Sequence, residues 1–510
     1  MTLAKTLILL GAAALLPAAA GAEAPASPPV SVRAGALAGA GSVSPRFLSY
    51  NIEMVELTGG RFWRPYGSPG NDRYEYRPPL DLADGKLRRL AAALGPAYVR
   101  FSGTWANATW FADAEKAPDK PPAGFDSVLT RRQWRGAVAF ARAVDAEILT
   151  SFATSMGTRD AAGAWQPATA ARWLAYTRAI GGHIAATEFG NEPNMAWLMK
   201  GPTPYAAADY RRDYATFARW LRQASPRTLL VAPGLAELGE PTRTVMRKSP
   251  GNTFFENDAM LAADSPRPDV FSFHFYGGGS ERCGGQMLGH GLGKALDPAW
   301  LAQIDPAIAR VRELRDRQAP GTPLWDTETG ETACGGNPWA ATFADSFRFV
   351  DTLGRSARAG VQVFVHNTLA ASDYALLDPG THDPRPNYWA ALLWKRTMGT
   401  TVLAAPPSPS PQLRLYAHCL VGSRGGVALA AINLADGPQR LAFEGPGRVR
   451  VMQAPTLDGK TVTVNGRTPA LAARGGFSGI DAVPAPGGLS LPGRAIAFVA
   501  LPRAANPACR

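Results

Sequence analysis

The sequence contains few of the residues that build metal and redox centres. Only 4 cysteines and 6 histidines occur among 510 residues, and no CxxC pair or histidine-rich run gives them metal-ligand spacing. No GxGxxG or P-loop motif follows the first predicted strand, which removes the usual signature of a nucleotide site. We therefore expect no metal ion and no organic cofactor.

Long apolar stretches are also scarce. The one extended run, residues 7–16, follows Lys5 and precedes a row of small residues. It is shorter than the roughly 20 residues that a membrane span needs, so a secretory signal peptide over residues 1–24, cleaved after Ala22 or Ala24, is favoured over a membrane anchor. We expect a secreted or periplasmic protein without a membrane partner.

Acidic residues are outnumbered. The chain has 41 Asp and Glu against 53 Lys and Arg, a net charge of +12 and a pI near 9.7. A positive surface favours polyanionic partners. Export and the lack of a basic helix or stacking motif argue against nucleic acid, so a sulfated or uronic-acid polysaccharide fits better. The alternative is a generally basic surface without a specific partner.

Short apolar strands alternate with helical stretches over residues 46–403, and this pattern predicts a (β/α)8 TIM barrel. A doubly wound open sheet is the competing fold. The eight candidate strands lie at residues 47–55, 97–103, 147–153, 184–193, 228–236, 270–277, 322–330 and 361–369.

The composition changes after residue 403. A Pro- and Ser-rich segment at 404–412 precedes short strands separated by turn residues. This pattern predicts an all-β sandwich domain over residues 404–510. The segment "PVSVRAG" within residues 25–45 is expected to add an edge strand to that sandwich.

Carboxylates occupy the ends of two well-separated barrel strands. Glu192 ends the fourth strand, and Glu328 ends the seventh. Active sites of TIM barrels lie at the carboxyl ends of the strands, and glycoside hydrolysis needs one protonated and one ionised carboxyl group. We predict that Glu192 and Glu328 form this pair, about 5–5.5 Å apart as in a retaining enzyme. Asp326, on the same face but deeper, and Glu331, past the strand end, are the rivals of Glu328.

A further glutamate, Glu188, precedes Glu192 by four residues. By strand alternation Glu188 shares the inward face with Glu192 but lies roughly 13 Å lower in the barrel. We expect it to be a buried structural partner of Arg100 on the second strand.

Several motifs together resemble one family. "FGNEPN" on the fourth strand and "LWDTETGETACGGN" after the seventh are similar to the heparanase and β-glucuronidase family of retaining glycosidases. "FHFYG" and "YAHC" follow the same order. The resemblance covers nearly the whole mature chain. The short segment after Thr104 is typical of a single-chain, bacterial-type member without an excised linker.

The resemblance implies a role for particular residues. Glu192 would be the acid/base and Glu328 the nucleophile, with Asn191 contacting the sugar 2-hydroxyl and Tyr276 holding the nucleophile. The remaining implied contacts are with the uronate carboxylate and with sugar hydroxyls. The uronate contacts would be Gly335, Gly336 and Tyr374, and the hydroxyl contacts Thr104 and Glu53.

The cysteines of an exported chain favour disulfides. The resemblance implies a bond between Cys419 and Cys509. A bond between Cys283 and Cys334 would be an addition to the family pattern, and it would tie together the loops that follow the sixth and seventh strands. Cys334 stands where the animal enzyme has a tyrosine, and Val55 where it has an asparagine.

These observations predict a secreted, monomeric retaining β-glucuronidase. Its expected substrate is a glucuronic-acid-containing polysaccharide or another glucuronide. One alternative is a related glycosidase for neutral sugars, of the xylosidase or arabinofuranosidase type. The other is a non-catalytic carbohydrate-binding barrel, which would be expected to lack one of the two carboxylates.

Overall fold

A computed structural model describes residues 29–238, 244, 254–284, 291–473 and 475–510. The predicted signal peptide at 1–24 lies outside the described residues. Within the described ranges, every helix is too short or too polar to cross a bilayer.

Eight parallel strands close into a barrel, which confirms the predicted TIM fold. Each predicted strand is present, with bounds shifted by a few residues. The strands are β1 (Leu48–Glu53), β2 (Ala97–Ser102), β3 (Ala146–Ser151), β4 (Ile184–Glu188), β5 (Leu229–Glu237), β6 (Val270–Tyr276), β7 (Leu324–Gly330) and β8 (Val361–His366).

Helices cover the outside of the barrel. At the start of α2 a capping box forms, because Thr130 and Gln133 exchange backbone and side-chain hydrogen bonds. Pro386 is the first residue of α7. The N–H of a first helical residue has no partner within the helix, so a proline at this position removes no helical hydrogen bond. The longer helices are α1 (Gly85–Ala92), α2 (Arg131–Ala143), α3 (Ala168–Ala179), α4 (Ala207–Ala224), α5 (Ile304–Gln318), α6 (Phe343–Arg358) and α7 (Pro386–Thr397).

The barrel interior is layered. Its lower part is an apolar cluster to which Leu149, Val231 and Trp325 belong. Above it, nearer the carboxyl ends of the strands, lie buried charged side chains, among them Arg100 and His274. Because water cannot reach them, these charges must satisfy one another.

A β-bulge interrupts β7. In the pairing with β6, Thr327 is skipped between Asp326 and Glu328. Trp325 packs in the barrel interior, and Thr327 donates to Glu188 inside the barrel at 2.6 Å, so alternation places Asp326 on the outer face. The expectation that Asp326 and Glu328 share a face is therefore wrong, because the extra residue returns Glu328 to the interior.

The C-terminal region is a nine-stranded sheet that also takes up segments from before the barrel. Val30–Val32 pairs with Gln439–Gln453, and Gly39–Ser42 pairs with Met398–Leu403. The last of these strands lies before the predicted boundary at residue 403, so the sheet begins earlier in the chain. The central strands, in spatial order, are Gln439–Gln453, Ala495–Leu501, Val427–Asn433, Leu413–Leu420 and Met398–Leu403.

Three strands of this sheet were not expected from the sequence, namely Gly39–Ser42, Met398–Leu403 and Val483–Leu491. Val483–Leu491 contains two prolines and two glycines, which read as a turn, yet it pairs with Gln439–Gln453. Within the described sheet it pairs with one neighbouring strand. On the unpaired side of such an edge strand, a proline removes no hydrogen bond between strands. A hairpin of Gly60–Trp63 and Tyr74–Arg77 was also not predicted.

Both disulfides are formed. Cys419–Cys509 joins a sheet strand to the C-terminal segment, with the Cα atoms 5.3 Å apart. Cys283–Cys334 joins the loop after β6 to the loop after β7, with the Cα atoms 6.3 Å apart.

Candidate active site

Glu192 lies in a turn beyond the end of β4. The strand ends at Glu188, five residues before the end of the strand that the sequence suggested. Glu192 itself has left-handed backbone angles, φ 48° and ψ 55°, a conformation that costs a non-glycine residue roughly 1–2 kcal/mol. Such conformations gather at functional sites. Here the turn directs the Glu192 side chain back over the barrel mouth.

Glu328 is held by groups from two other strands. Arg100 donates from Nη1 to its Oε2 at 2.8 Å, and the Tyr276 hydroxyl donates to its Oε1 at 2.7 Å. Only 7% of Glu328 is exposed. Both hydrogen bonds fix the orientation of the Glu328 carboxyl group, as a nucleophile requires.

Arg100 also binds the fourth-strand residues. Its Nε donates to Glu188 Oε2 at 3.0 Å, and its Nη2 donates to Asn191 Oδ1 at 2.7 Å. The predicted pairing of Glu188 with Arg100 is therefore present. The bond from Arg100 to Glu328 was not predicted, and it makes this arginine the link between the two halves of the site.

His274 stands between the carboxylates. Its Nδ1 lies 3.1 Å from Glu192 Oε1 and 3.8 Å from Glu328 Oε2, and its Nε2 lies 3.9 Å from Glu188. Glu188 and Glu192 thus reach the same imidazole ring. The expected 13 Å offset between them is wrong, because the chain turns after Glu188 instead of rising as a strand.

The two candidate catalytic carboxyl groups are close. One oxygen of Glu192, one of Glu328 and a ring nitrogen of His274 all lie within 4.8 Å of one another. Carboxyl groups about 5–5.5 Å apart are typical of retaining glycosidases, whereas inverting enzymes hold them roughly 6.5–9.5 Å apart. This spacing favours direct attack by one carboxylate over activation of an intervening water.

The surroundings of Glu192 and Glu188 shift the pKa values of these two glutamates in opposite directions. Burial raises the pKa of Glu192, the hydrogen bond with His274 opposes that rise, and the negative charge of Glu328 adds to it. Burial alone would raise the pKa of Glu188, but Arg100 and His274 bring it down to about 2. Glu192 is therefore the group that can carry a proton, while Glu188 stays ionised.

His274 is the second cation of the site. Burial alone would lower its pKa, but the charge of Glu328 and contacts with Glu188 and Glu192 raise it to about 10. Arg100 Nη2, 3.3 Å from the ring, opposes this protonation, yet three carboxyl groups outweigh it. His274 and Arg100 are thus the two cations in contact with the glutamates of the site.

This arrangement predicts a pH-dependent stability. The folded protein keeps the His274 proton up to about pH 10, whereas the unfolded chain loses it near pH 6.5. The stabilisation is therefore complete below about pH 6.5 and is lost as the pH rises to 10, by up to about 1.4 kcal/mol per pH unit. Urea unfolding of the wild type should show this loss, and His274→Gln should not.

His418→Gln is the matched control. Burial lowers the pKa of His418 to about 4, so this histidine is neutral throughout the range, and its variant should keep the pH dependence of the wild type. Equal slopes for the wild type and His274→Gln would contradict the assignment.

Glu192, His274 and Glu328 also have the residue types of a metal site. Among the described residues they are the group whose ligand atoms cluster closely enough for one ion. The fixed guanidinium of Arg100 lies 2.8 Å from Glu328 and 3.3 Å from His274. A divalent cation there would face this charge directly, so the donor set suits proton chemistry better than metal binding.

Two predicted sugar contacts carry free polar atoms. The Nδ2 of Asn191 and the Oε2 of Glu53 are buried and have no hydrogen-bond partner among the described residues. Burial and the charge of Glu328 raise the pKa of Glu53 well above its usual range, so Glu53 can donate a hydrogen bond. Thr104 lies half-buried after β2 and donates to the sulfur of Met199 at 3.1 Å.

The three predicted uronate contacts lie together. Gly335 and Gly336 have φ of 86° and 84°, and a methyl group on Gly336 would come within 3.3 Å of Tyr374. No described group accepts a hydrogen bond from either glycine N–H. Glu331, a rival of the nucleophile, instead accepts bonds from Asn337 and supports this loop.

A chain of hydrogen bonds joins this pocket to Glu328. Asn367 donates to the hydroxyls of both Tyr276 and Tyr374 at 2.9 Å, and it accepts from Asn51 at 2.6 Å. Sequence reasoning assigned no role to Asn367, Asn51 or His274. Their positions near the ends of β8, β1 and β6 were the available signal.

The chain is similar in sequence to heparanases and heparanase-like proteins. No family model matches the chain. Heparanase-like protein 1 of Arabidopsis thaliana is 33% identical over 279 residues, 54% of this chain and 47% of that protein. Mouse heparanase is 25% identical over 535 residues, 92% of each chain. The chain thus spans about half of the first relative and nearly all of the second.

The fold has solved counterparts. A 4-O-α-L-rhamnosyl-β-D-glucuronidase from Fusarium oxysporum superposes with a TM-score of 0.62 at 14% identity, over 94% of this chain and 99% of that structure. At this identity the likeness concerns the architecture alone.

Proposed function

We propose that this chain is a member of the heparanase-like family and a retaining glycoside hydrolase that cleaves β-linked glucuronic acid. The observation that carries the proposal is the pair of carboxyl groups within 4.8 Å of each other, one bound by Arg100 and Tyr276, the other with a raised pKa. The similarity to heparanase and heparanase-like proteins supports the choice of substrate class.

In the first step, a carboxylate oxygen of Glu328 attacks the anomeric carbon. The Glu192 proton passes to the leaving oxygen as the glycosidic bond breaks, and a covalent glycosyl-enzyme forms. Glu192 is then ionised, next to the protonated His274 at 3.1 Å. In the second step, Glu192 takes a proton from water, the water attacks the same carbon, and Glu328 is released.

The other residues bind and orient the sugar. Asn191 offers its free Nδ2 to the 2-hydroxyl, and Glu53 offers a protonated carboxyl to another hydroxyl. Gly335, Gly336 and the Tyr374 hydroxyl would receive the uronate carboxylate. Converging N–H groups bind an anion through their dipoles.

The direct test is hydrolysis of p-nitrophenyl β-glucuronide, with the aryl β-xyloside and aryl α-arabinofuranoside as matched substrates. We expect turnover of the glucuronide only, and the first-formed sugar should be the β-anomer by NMR. Turnover of a neutral glycoside alone would favour the neutral-sugar alternative. Release of the α-anomer would indicate inversion.

We also propose that the protein is secreted and acts on acidic polysaccharide, which its net charge of +12 favours. Sizing the products from heparan sulfate separates two modes of action. A broad set of oligosaccharides indicates cleavage within chains, whereas free glucuronate alone indicates removal of terminal residues.

A further inference from the structure

A buried arginine, Arg282, lies against the predicted uronate pocket. Its side chain is 7% exposed. A methyl group placed on Gly335 would come within 3.0 Å of Arg282 Nη1. This cation belongs to the loop after β6, and neither the sequence pattern nor the family resemblance pointed to it.

The guanidinium is only partly satisfied. Its Nη2 donates to Asp373 at 2.5 Å, and its plane lies 4.0 Å from the ring centre of Tyr66. The Nη1 is buried and has no hydrogen-bond partner among the described residues. An unpaired charged donor in a buried position is costly, so its persistence beside Gly335 indicates that a ligand supplies the missing acceptor.

The surrounding loops fix this position. Ser280 donates to the carbonyl of Gly336 at 2.8 Å, and Asp373 donates from its backbone N–H to the carbonyl of Gly335. Cys283, next to Arg282, is bonded to Cys334, next to Gly335. The disulfide therefore holds the cation and the glycine pair at one place.

We propose that Arg282 binds the carboxylate of the sugar through Nη1 and makes the pocket selective for uronates over neutral sugars. This inference rests on the proposed function and adds to it a residue that determines specificity. Backbone N–H groups also donate hydrogen bonds to a neutral oxygen, whereas a guanidinium favours a carboxylate by charge. Its planar set of five donors allows Asp373 and the ligand to be bound at once.

Two ligands of similar shape but different charge can test whether the pocket recognises the charge of the carboxylate. Glucuronate and its neutral amide, glucuronamide, differ little in size, so the ratio of their dissociation constants by calorimetry reports the preference for charge. The wild type is expected to favour glucuronate roughly 10- to 100-fold, the range for hydrogen bonds to charged groups. Arg282→Gln should bring the ratio close to one, and Arg282→Lys should restore part of it.

Arg159→Gln is the matched control. Arg159 is also buried, bound to an aspartate, Asp213, at 2.6 Å and stacked on a tyrosine ring, Tyr205, at 5.1 Å. Its loss should affect stability without changing the ligand ratio. If Arg282→Gln does not fold, Asp373→Asn gives a second test, because removing the competing carboxylate should raise the preference for glucuronate.

The outcomes separate this inference from the proposed function. A wild type that neither hydrolyses an aryl β-glucuronide nor binds either ligand overturns both. A wild type that hydrolyses the glucuronide, with a ratio unchanged in Arg282→Gln, overturns the role of Arg282 alone. An unchanged or lower preference in Asp373→Asn also contradicts that role.

Discussion

Glu328→Gln is expected to abolish turnover of p-nitrophenyl β-glucuronide, with kcat lower by roughly 10⁴-fold or more. The amide has nearly the shape of the carboxylate but cannot form the covalent intermediate. Arg100 keeps its bond to Glu188 in this variant, so the melting temperature should change far less than the rate. Steady-state kinetics and thermal unfolding measure the two effects.

Asp326→Asn is the control for this variant. Asp326 is fully buried, burial raises its pKa well above the usual range, and the bulge in β7 turns it away from the site. The amide therefore replaces a neutral acid, and turnover should be largely retained. Substantial activity in Glu328→Gln, with loss of activity in Asp326→Asn or Glu331→Gln, would move the nucleophile.

Glu192→Ala is expected to slow hydrolysis of substrates with poor leaving groups by about 10²–10⁴-fold, the usual contribution of a general acid. Formation of the glycosyl-enzyme from a dinitrophenyl glucuronide should change little, because that leaving group needs no proton. Azide should then restore turnover and yield the β-glucuronyl azide, since a small anion fits the space of the missing carboxylate and needs no general base.

The pH profile provides a second readout for Glu192. Because its pKa is raised, the wild type should remain active above the pH at which an ordinary glutamate is ionised, and activity should fall as the pH passes the raised pKa. Glu192→Ala should lose this alkaline limb. Failure of azide to rescue, or an unchanged limb, would count against the role of Glu192.

The barrel was predictable because each strand is a short apolar run between helical stretches. The prediction was wrong where local geometry breaks the pattern. β4 stops at Glu188, although the following residues continue to read as a strand, and the bulge in β7 changes which residues face inward. Neither event has a clear signature in hydrophobic periodicity. Val483–Leu491 was missed because its prolines and glycines resemble a turn.

The candidate site was predictable where residue type and strand position agree. Glu192, Glu328 and Tyr276 all lie near carboxyl ends of barrel strands, and the structure brings them together. Their protonation partners were harder to predict. Arg100 and His274 lie on the same strands as many other polar residues, and only the closed barrel shows which carboxylates they contact.

Arg282 illustrates the limit of sequence reasoning for loops. Its contact with Gly335 joins two loops more than 50 residues apart, which no periodicity relates. The predicted Cys283–Cys334 bond was the one indication that these loops meet.

The sheet that includes Val30–Val32 also has a consequence for the order of events during synthesis. This strand pairs with residues 441–443, which leave the ribosome about 400 residues later. At roughly 5–20 residues per second, the early strand waits on the order of 20–80 s for its partner. The barrel strands are all made in that interval, so the sequence of the catalytic half is complete before the sheet can close around both ends of the chain.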